Sequence, residues 1–117
     1  MTKSIAPQLP FTSFGEDFIL EPVISTYSNG RLAIQFFYLD EKMDMMAPFA
    51  KVSVNMPDDH LNPGEVFVKD WAENEPLVAH LVEQGWFTPT GREVLSGFVA
   101  PAVMRPAGLL LDYIEGR

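Results

Sequence analysis

Two histidines and the carboxylates beside them are the residues of this 117-residue chain whose types could do chemistry. Asp58, Asp59 and His60 are consecutive, and they offer oxygen and imidazole donors of the kind that bind divalent metals. A small metal-dependent hydrolase that uses these three residues is therefore one hypothesis. Adjacent loop residues rarely converge on one ion, and a solvated turn explains them more simply. We therefore predict no metal and no cofactor.

The other chemical patterns are weaker. His80 and Glu83 are three residues apart on the polar face of a predicted helix, where such pairs usually interact only weakly. The chain has no cysteine, which excludes disulfides and thiolate sites. Neither phosphate-binding glycine motif is present, and turn chemistry explains Thr90-Gly91-Arg92 without a bound anion. We predict no catalytic residue and no enzymatic activity.

Charge is the more informative pattern. The net charge of the chain is −8, and most of it lies between Asp40 and Glu83, a span with ten acidic residues and three lysines. An acidic surface repels phosphates, which argues against direct nucleic-acid binding, and it steers a basic partner. The alternative is that the acidic surface serves only solubility. Met43, Met45 and Met46 suggest either an adaptable contact or a return to the core. The predicted partner-binding residues are Asp40, Glu41, Asp44, Met45, Met46, Asp58, Asp59, Glu73 and Glu75.

The elements that position these residues begin with a hairpin. Phe18–Tyr27 alternates as a strand, in which Pro22 indicates an edge or a bulge. Ser28-Asn29-Gly30 predicts a type I′ turn. Arg31–Leu39 is apolar on both faces, which is typical of a strand covered on both sides.

Further elements follow this hairpin. Within the strand predicted over Phe49–Met56, Ser53 is expected to face outward, and Pro101 marks the last strand as an edge. Asn74 is a candidate N-cap and Gly85 a candidate C-terminal residue of the helix. The predicted order is a turn over Asp40–Pro48, strands over Phe49–Met56 and Val66–Val68 separated by a loop over Pro57–Gly64, a helix from Glu75 to Gln84, a turn over Thr88–Gly91 and a strand near Phe98–Met104.

The sum predicts an α+β fold, with a mainly antiparallel sheet of four to six strands and one amphipathic helix on one face. We expect an irregular arm over 1–16 and a single domain over 17–113. Residues 114–117 match a protease site used to remove tags, and the sequence leaves open whether they are native. No apolar run is long enough to span a bilayer, so we expect a cytoplasmic protein without membrane contact.

Four stretches resemble a family of small uncharacterised bacterial proteins that are carried on plasmids, conjugative elements and prophages. They are Ser28–Gln35, Pro48–Pro57, Gly64–Asp70 and the Thr88–Arg92 to Ser96–Phe98 block. This family has no known function, so the resemblance implies no site residue. It implies a genomic setting in which small acidic proteins often block host defence nucleases.

The leading hypothesis is therefore a non-enzymatic inhibitor or modulator that occupies a basic nucleic-acid-binding surface of a host protein. A restriction or CRISPR nuclease complex would be the concrete target. A third hypothesis, beside the hydrolase, is a homodimeric structural or assembly protein. Its contacts would be an edge strand at Pro22 or Pro101, or the Leu109–Leu111 tail. The alternative for this tail is that it adds to the core of its own chain.

Overall fold

The computed structural model describes residues 5–95 and 97–117 and has two antiparallel four-stranded sheets with two short helices. The predicted α+β class is confirmed, but the strands are divided between two sheets. Sheet A, in the order β1-β2-β3-β4, is formed by β1 Leu9–Ser13, β2 Glu16–Thr26, β3 Leu32–Asp40 and β4 Met45–Lys51. Sheet B, in the order β5-β6-β8-β7, is formed by β5 Ser53–Val54, β6 Val66–Val68, β7 Phe87–Glu93 and β8 Ala102–Pro106. The helices are α1, Glu75–Glu83, which follows a 3-10 turn over Ala72–Asn74, and α2, Gly108–Ile114.

The segment expected to be an irregular arm contains strand β1, so that expectation is wrong for Leu9–Ser13; residues 1–4 lie outside the described part. Pro10 is tolerated because β1 is an edge strand, paired only with β2. The two strands are joined by Phe14 and Gly15, which have φ values of 51° and 76°. Positive φ at both positions is typical of a type I′ turn. Phenylalanine is a strained choice there, because its Cβ crowds the backbone.

Replacing Phe14 with asparagine is therefore expected to stabilise the protein by about 1 kcal/mol, since asparagine tolerates a positive φ. Urea unfolding of the Phe14→Asn variant measures this change. Phe98→Asn is the matched control, because Phe98 is equally exposed and its φ is not positive. A Phe14→Asn variant that is no more stable than the wild type would contradict the inference that the backbone at Phe14 is strained.

The β2–β3 hairpin is present where Asn-Gly predicted it, but the turn type differs. Only Gly30 has a positive φ, of 82°, so the turn is not type I′. Tyr27 accepts from the N–H of Gly30 at 2.8 Å and donates to the carbonyl of Arg31 at 2.7 Å, which is a three-residue loop with a left-handed glycine. The edge predicted at Pro22 is confirmed locally, because β1 pairs with β2 no further along than Leu20.

The single strand predicted over Phe49–Met56 is two strands in two sheets, and the chain crosses between them at Val52. The N–H of Val52 donates to Ile34 in β3 at 3.1 Å, and its carbonyl accepts from the N–H of Lys69 at 2.7 Å. Ser53 is buried rather than outward. Its hydroxyl accepts from the N–H of Ile34 at 2.8 Å and lies 2.9 Å from the hydroxyl of Tyr27. The crossing turns this side chain towards β3, which periodicity alone could not show.

Replacing Ser53 with alanine would leave the buried N–H of Ile34 without its acceptor. We expect a loss of about 1–3 kcal/mol in the free energy of unfolding. Chemical denaturation of Ser53→Ala measures it, beside Ser25→Ala, which removes an exposed hydroxyl from β2. Equal stabilities of the two variants would show that the Ser53 bond is dispensable.

In sheet B two predictions are wrong. The turn predicted over Thr88–Gly91 lies within β7, where Gly91 (φ 85°) sits at an irregularity in the pairing with β8. β8 begins after the buried Pro101 and lies between β6 and β7, so this proline does not mark an edge. An edge strand such as β7 tolerates both proline and a bulge, which explains why turn residues misled the sequence reasoning.

Helix α1 matches its predicted range, and its C-terminal end explains why, whereas the side-chain N-cap predicted at Asn74 is wrong. The N–H groups of Gly85 and Trp86 donate to the carbonyls of Val82 and Leu81. This pair of hydrogen bonds is the Schellman motif, which ends many helices at a left-handed glycine. Asn74 makes no side-chain cap; it donates to the carbonyl of Lys51 at 2.9 Å instead, which ties the helix start to the end of β4.

The Leu109–Leu111 tail forms part of α2, which the sequence reasoning missed. Gly108 begins this helix so close to the end of α1 that a Cβ there would lie 2.7 Å from the carbonyl oxygen of Gly85. The α2 residue Leu110 is fully buried, while Leu109 is exposed. The tail therefore packs within its own chain rather than offering three leucines to a second copy.

One hydrophobic core joins the inner faces of both sheets to the two helices. Sheet A contributes alternate residues of β2 and β3, and all three residues of β6 are buried. The central residues of this core are Leu20, Ile34, Phe36, Val66, Val68, Leu77, Leu81, Trp86, Met104 and Leu110. Because both helices pack on this side, the opposite face of sheet A is left towards solvent.

Candidate partner-binding surface

The β3–β4 turn holds three of the predicted acids, Asp40, Glu41 and Asp44. Asp40 accepts from the N–H of Lys42 at 3.1 Å, and Asp44 has a φ of 50°, which aspartate tolerates better than most residues. The methionines here are 65% (Met43), 54% (Met45) and 40% (Met46) exposed. They do not fold back into the core, so the adaptable-contact interpretation is the one that matches their placement.

Beside this turn lies a shallow depression of about 760 Å³, which is lined in part by Ile19, Leu39 and Met46 on the outer face of sheet A. Acids of the β1–β2 and β3–β4 hairpins line it, and Lys42 is the one base among its lining residues. Three of these acids were missed by sequence reasoning, although the alternation of Asp17, Ile19 and Glu21 in β2 was a usable signal. The lining acids are Glu16, Asp17, Glu21, Asp40 and Glu41.

Asp58 and Asp59 lie in the β5–β6 loop, at the other end of β3. The guanidinium of Arg31, next to the start of β3, donates to the carbonyls of Met56 and Asp59 at 2.7 and 2.6 Å. β3 has nine residues, so its two ends are about 26 Å apart at the usual rise of a strand. This loop and the Asp40–Asp44 turn are therefore separate acidic surfaces.

The same loop does not assemble a metal site. Nε2 of His60 lies 2.9 Å from the side-chain oxygen of Asn62, and the structure places no three His, Asp or Glu side chains of residues 5–95 and 97–117 where they could share an ion. Asp58, Asp59 and His60 therefore lack the arrangement that the hydrolase hypothesis requires.

The remaining predicted acids, Glu73 and Glu75, flank the start of α1. Glu73 accepts from Lys69 at 2.9 Å, and this hydrogen bond lowers the pKa of Glu73 from its ordinary value. Because Asn74 between them is bonded to Lys51 at the end of β4, they are far from the β3–β4 turn. The nine predicted residues thus occupy three places, of which the first adjoins the depression of about 760 Å³.

His80 does not pair with Glu83. Its Nε2 lies 2.9 Å from the carbonyl oxygen of Pro10, and its ring lies 5.4 Å from that of Phe11. The histidine therefore connects α1 to strand β1, which is a structural role.

Arg92, considered above as an anion holder, binds a carboxylate of its own chain. Its guanidinium donates to both oxygens of Glu65, at 2.8 and 2.9 Å, and Arg105 lies 3.4 Å from the same carboxylate. The Glu65 side chain is buried. Burial opposes its ionisation, but the N–H of Asn62 and the Arg92 guanidinium outweigh burial and lower the pKa of Glu65. This network links the β5–β6 loop to β7 and β8.

Because the pKa of Glu65 is lowered by folding, its charge stabilises the folded protein above the ordinary glutamate pKa, and this contribution disappears as the pH falls through the lowered value. We expect Glu65→Gln to be less stable than the wild type at neutral pH, with the difference closing below about pH 4. Thermal unfolding across pH measures this, with the exposed Glu93→Gln as control. A difference that is constant with pH would contradict the assignment.

Comparison of the chain with family models, curated proteins and solved structures finds no match. The resemblance to mobile-element proteins therefore stays a prediction, and Ser96, in one of its stretches, lies outside the described residues. In the described part of the chain, no helix is long and apolar enough to cross a membrane.

Proposed function

We propose that this protein is a non-enzymatic binding protein whose acidic surface on sheet A docks on a basic surface of a protein partner. The observation that carries the proposal is the depression beside the β3–β4 turn, which is lined by five acids of the β1–β2 and β3–β4 hairpins and by one lysine. Like charges gathered on one concave surface produce a field that attracts a basic partner and accelerates its association.

The concrete version rests on the resemblance to mobile-element proteins. In that version the partner is a host nuclease, and the acids occupy the basic channel in which it binds nucleic acid. The acids of the depression would then take the place of phosphates, and nucleic acid and this protein would compete for one site.

The geometry gives the other two hypotheses less support. The Asp58/Asp59/His60 loop lacks a converging ligand set among the described residues. Two of the three contacts of the homodimer hypothesis, the edge strand at Pro101 and the Leu109–Leu111 tail, lose support. The strand that follows Pro101, β8, is an inner strand of its sheet, and Leu110 is buried in the core of its own chain.

Reversing the charge of Asp40, Glu41 and Asp44 to lysine is expected to slow association with a partner captured from host lysate at least tenfold at low salt. The salt dependence of association should also become shallower, because fewer favourable charge contacts remain to be screened. Surface plasmon resonance at two salt concentrations measures both effects.

The matched control reverses Asp58, Asp59 and Glu75 to lysine, which changes the net charge equally on the two other acidic surfaces. We expect a much smaller effect on association. If both triple variants slow association equally, bulk charge rather than this surface attracts the partner and the proposal fails.

A further inference from the structure

An exposed apolar row crosses the outer face of sheet A. Pro10 in β1 pairs with Ile19 in β2, and Leu39 in β3 pairs with Met46 in β4. Because Leu20 pairs with Tyr38, Ile19 lies opposite Leu39, and the row is continuous over four strands. Ile19 is 49% exposed and Leu39 is 53% exposed.

Exposed apolar side chains are unusual in a central strand such as β3. The sequence of β3 is apolar on both faces, which is typical of a strand covered on both sides. The core covers the inner face, but the exposure of Ile19, Leu39 and Met46 shows that no described element covers this part of the outer face. A contiguous exposed apolar patch with a polar rim is characteristic of an interaction site.

The charges around the row indicate which kind of partner is complementary to it. Asp17 and Glu41 flank it on one side and Glu21 on the other, and all three line the same depression as Ile19, Leu39 and Met46. A second copy would bring these acids against their own counterparts, and an anionic membrane or a nucleic acid would be repelled. A protein surface with an apolar centre and a rim of lysine or arginine is complementary in both respects.

We infer that the outer face of sheet A is a docking surface for such a partner, held by the row of Pro10, Ile19, Leu39 and Met46 and oriented by the surrounding acids. This inference rests on the proposed function and specifies how the partner is held. The acids govern the rate of encounter, and the apolar row governs the lifetime of the complex.

Phe14 lies at the same end of sheet A as the acids of this surface, in the turn between β1 and β2. Its side chain is fully exposed at the tip of the β1–β2 hairpin, two residues from the acidic Glu16. A strained backbone that presents an exposed aromatic ring is a pattern found at binding sites, where the ring supplies a buried anchor in the complex.

The test uses synthetic peptides of defined chemistry as probes. One contains leucine and lysine, a second replaces leucine with serine, and a third replaces lysine with glutamate. Fluorescence anisotropy measures the Kd of each for the full chain. We expect the Leu–Lys peptide to bind at least tenfold more tightly than either of the others. Its binding should also shift the NMR methyl signals of Ile19, Leu39 and Met46.

The variant Ile19→Thr/Leu39→Thr keeps strand propensity and is expected to weaken binding of the Leu–Lys peptide about tenfold while leaving that of the Ser–Lys peptide unchanged. Leu95→Thr/Leu109→Ala removes two leucines elsewhere that are at least as exposed, and it should leave the binding of both peptides unchanged. Phe14→Asn should weaken Leu–Lys binding although it is expected to stabilise the fold, and urea unfolding of the same variant shows whether a loss of binding comes from unfolding.

The outcomes separate this inference from the proposed function. Equal binding of the Leu–Lys and Ser–Lys peptides would overturn the apolar docking surface and leave the acidic one standing. Equal binding of the Leu–Lys and Leu–Glu peptides would overturn the basic rim and the proposed function with it. Self-association that is lost in Ile19→Thr/Leu39→Thr would assign the face to a second copy and refute the inference.

Discussion

The N–H of Val52 donates to sheet A and its carbonyl accepts from the residue that follows β6 of sheet B, and the rest of the structure depends on this crossing. At this point β4 has left the side of β3, so the N–H of Ile34 has no backbone partner there and the Ser53 hydroxyl serves as its acceptor. A buried N–H without an acceptor is costly, so this one hydroxyl allows the chain to change sheets. Sheet B, its helices and the shared core follow from that change.

The crossing also explains why one face of sheet A is bare. Once the chain has passed into sheet B, both helices pack on the side where the two sheets share a core. The outer face of β2, β3 and β4 is left with the apolar row and its acids. The Glu65 network holds the β5–β6 loop against β7 and β8, so the acids of that loop stay with sheet B and far from the β3–β4 turn.

The acidic span between Asp40 and Glu83 shows how far sequence reasoning could go. It located the charge in loops and at a helix start, as found. It could not show that β3 separates the Asp40–Asp44 turn from the Asp58–Asp59 loop. It also omitted Glu16, Asp17 and Glu21, because they precede the charged span in the chain and join the turn only through the β2–β3 register.

The sequence by itself determined the local elements: helix α1 with its terminating Gly85, the β2–β3 hairpin, the apolar character of β3 and the short strand β6. Each follows from side-chain periodicity or from a residue's backbone preference, which act over a few positions. Tertiary structure alone decided the division into two sheets, the inward turn of Ser53, the inner position of β8 and the meeting of acids from two hairpins. Those features depend on which strands pair, and pairing is set by packing between residues distant in the chain.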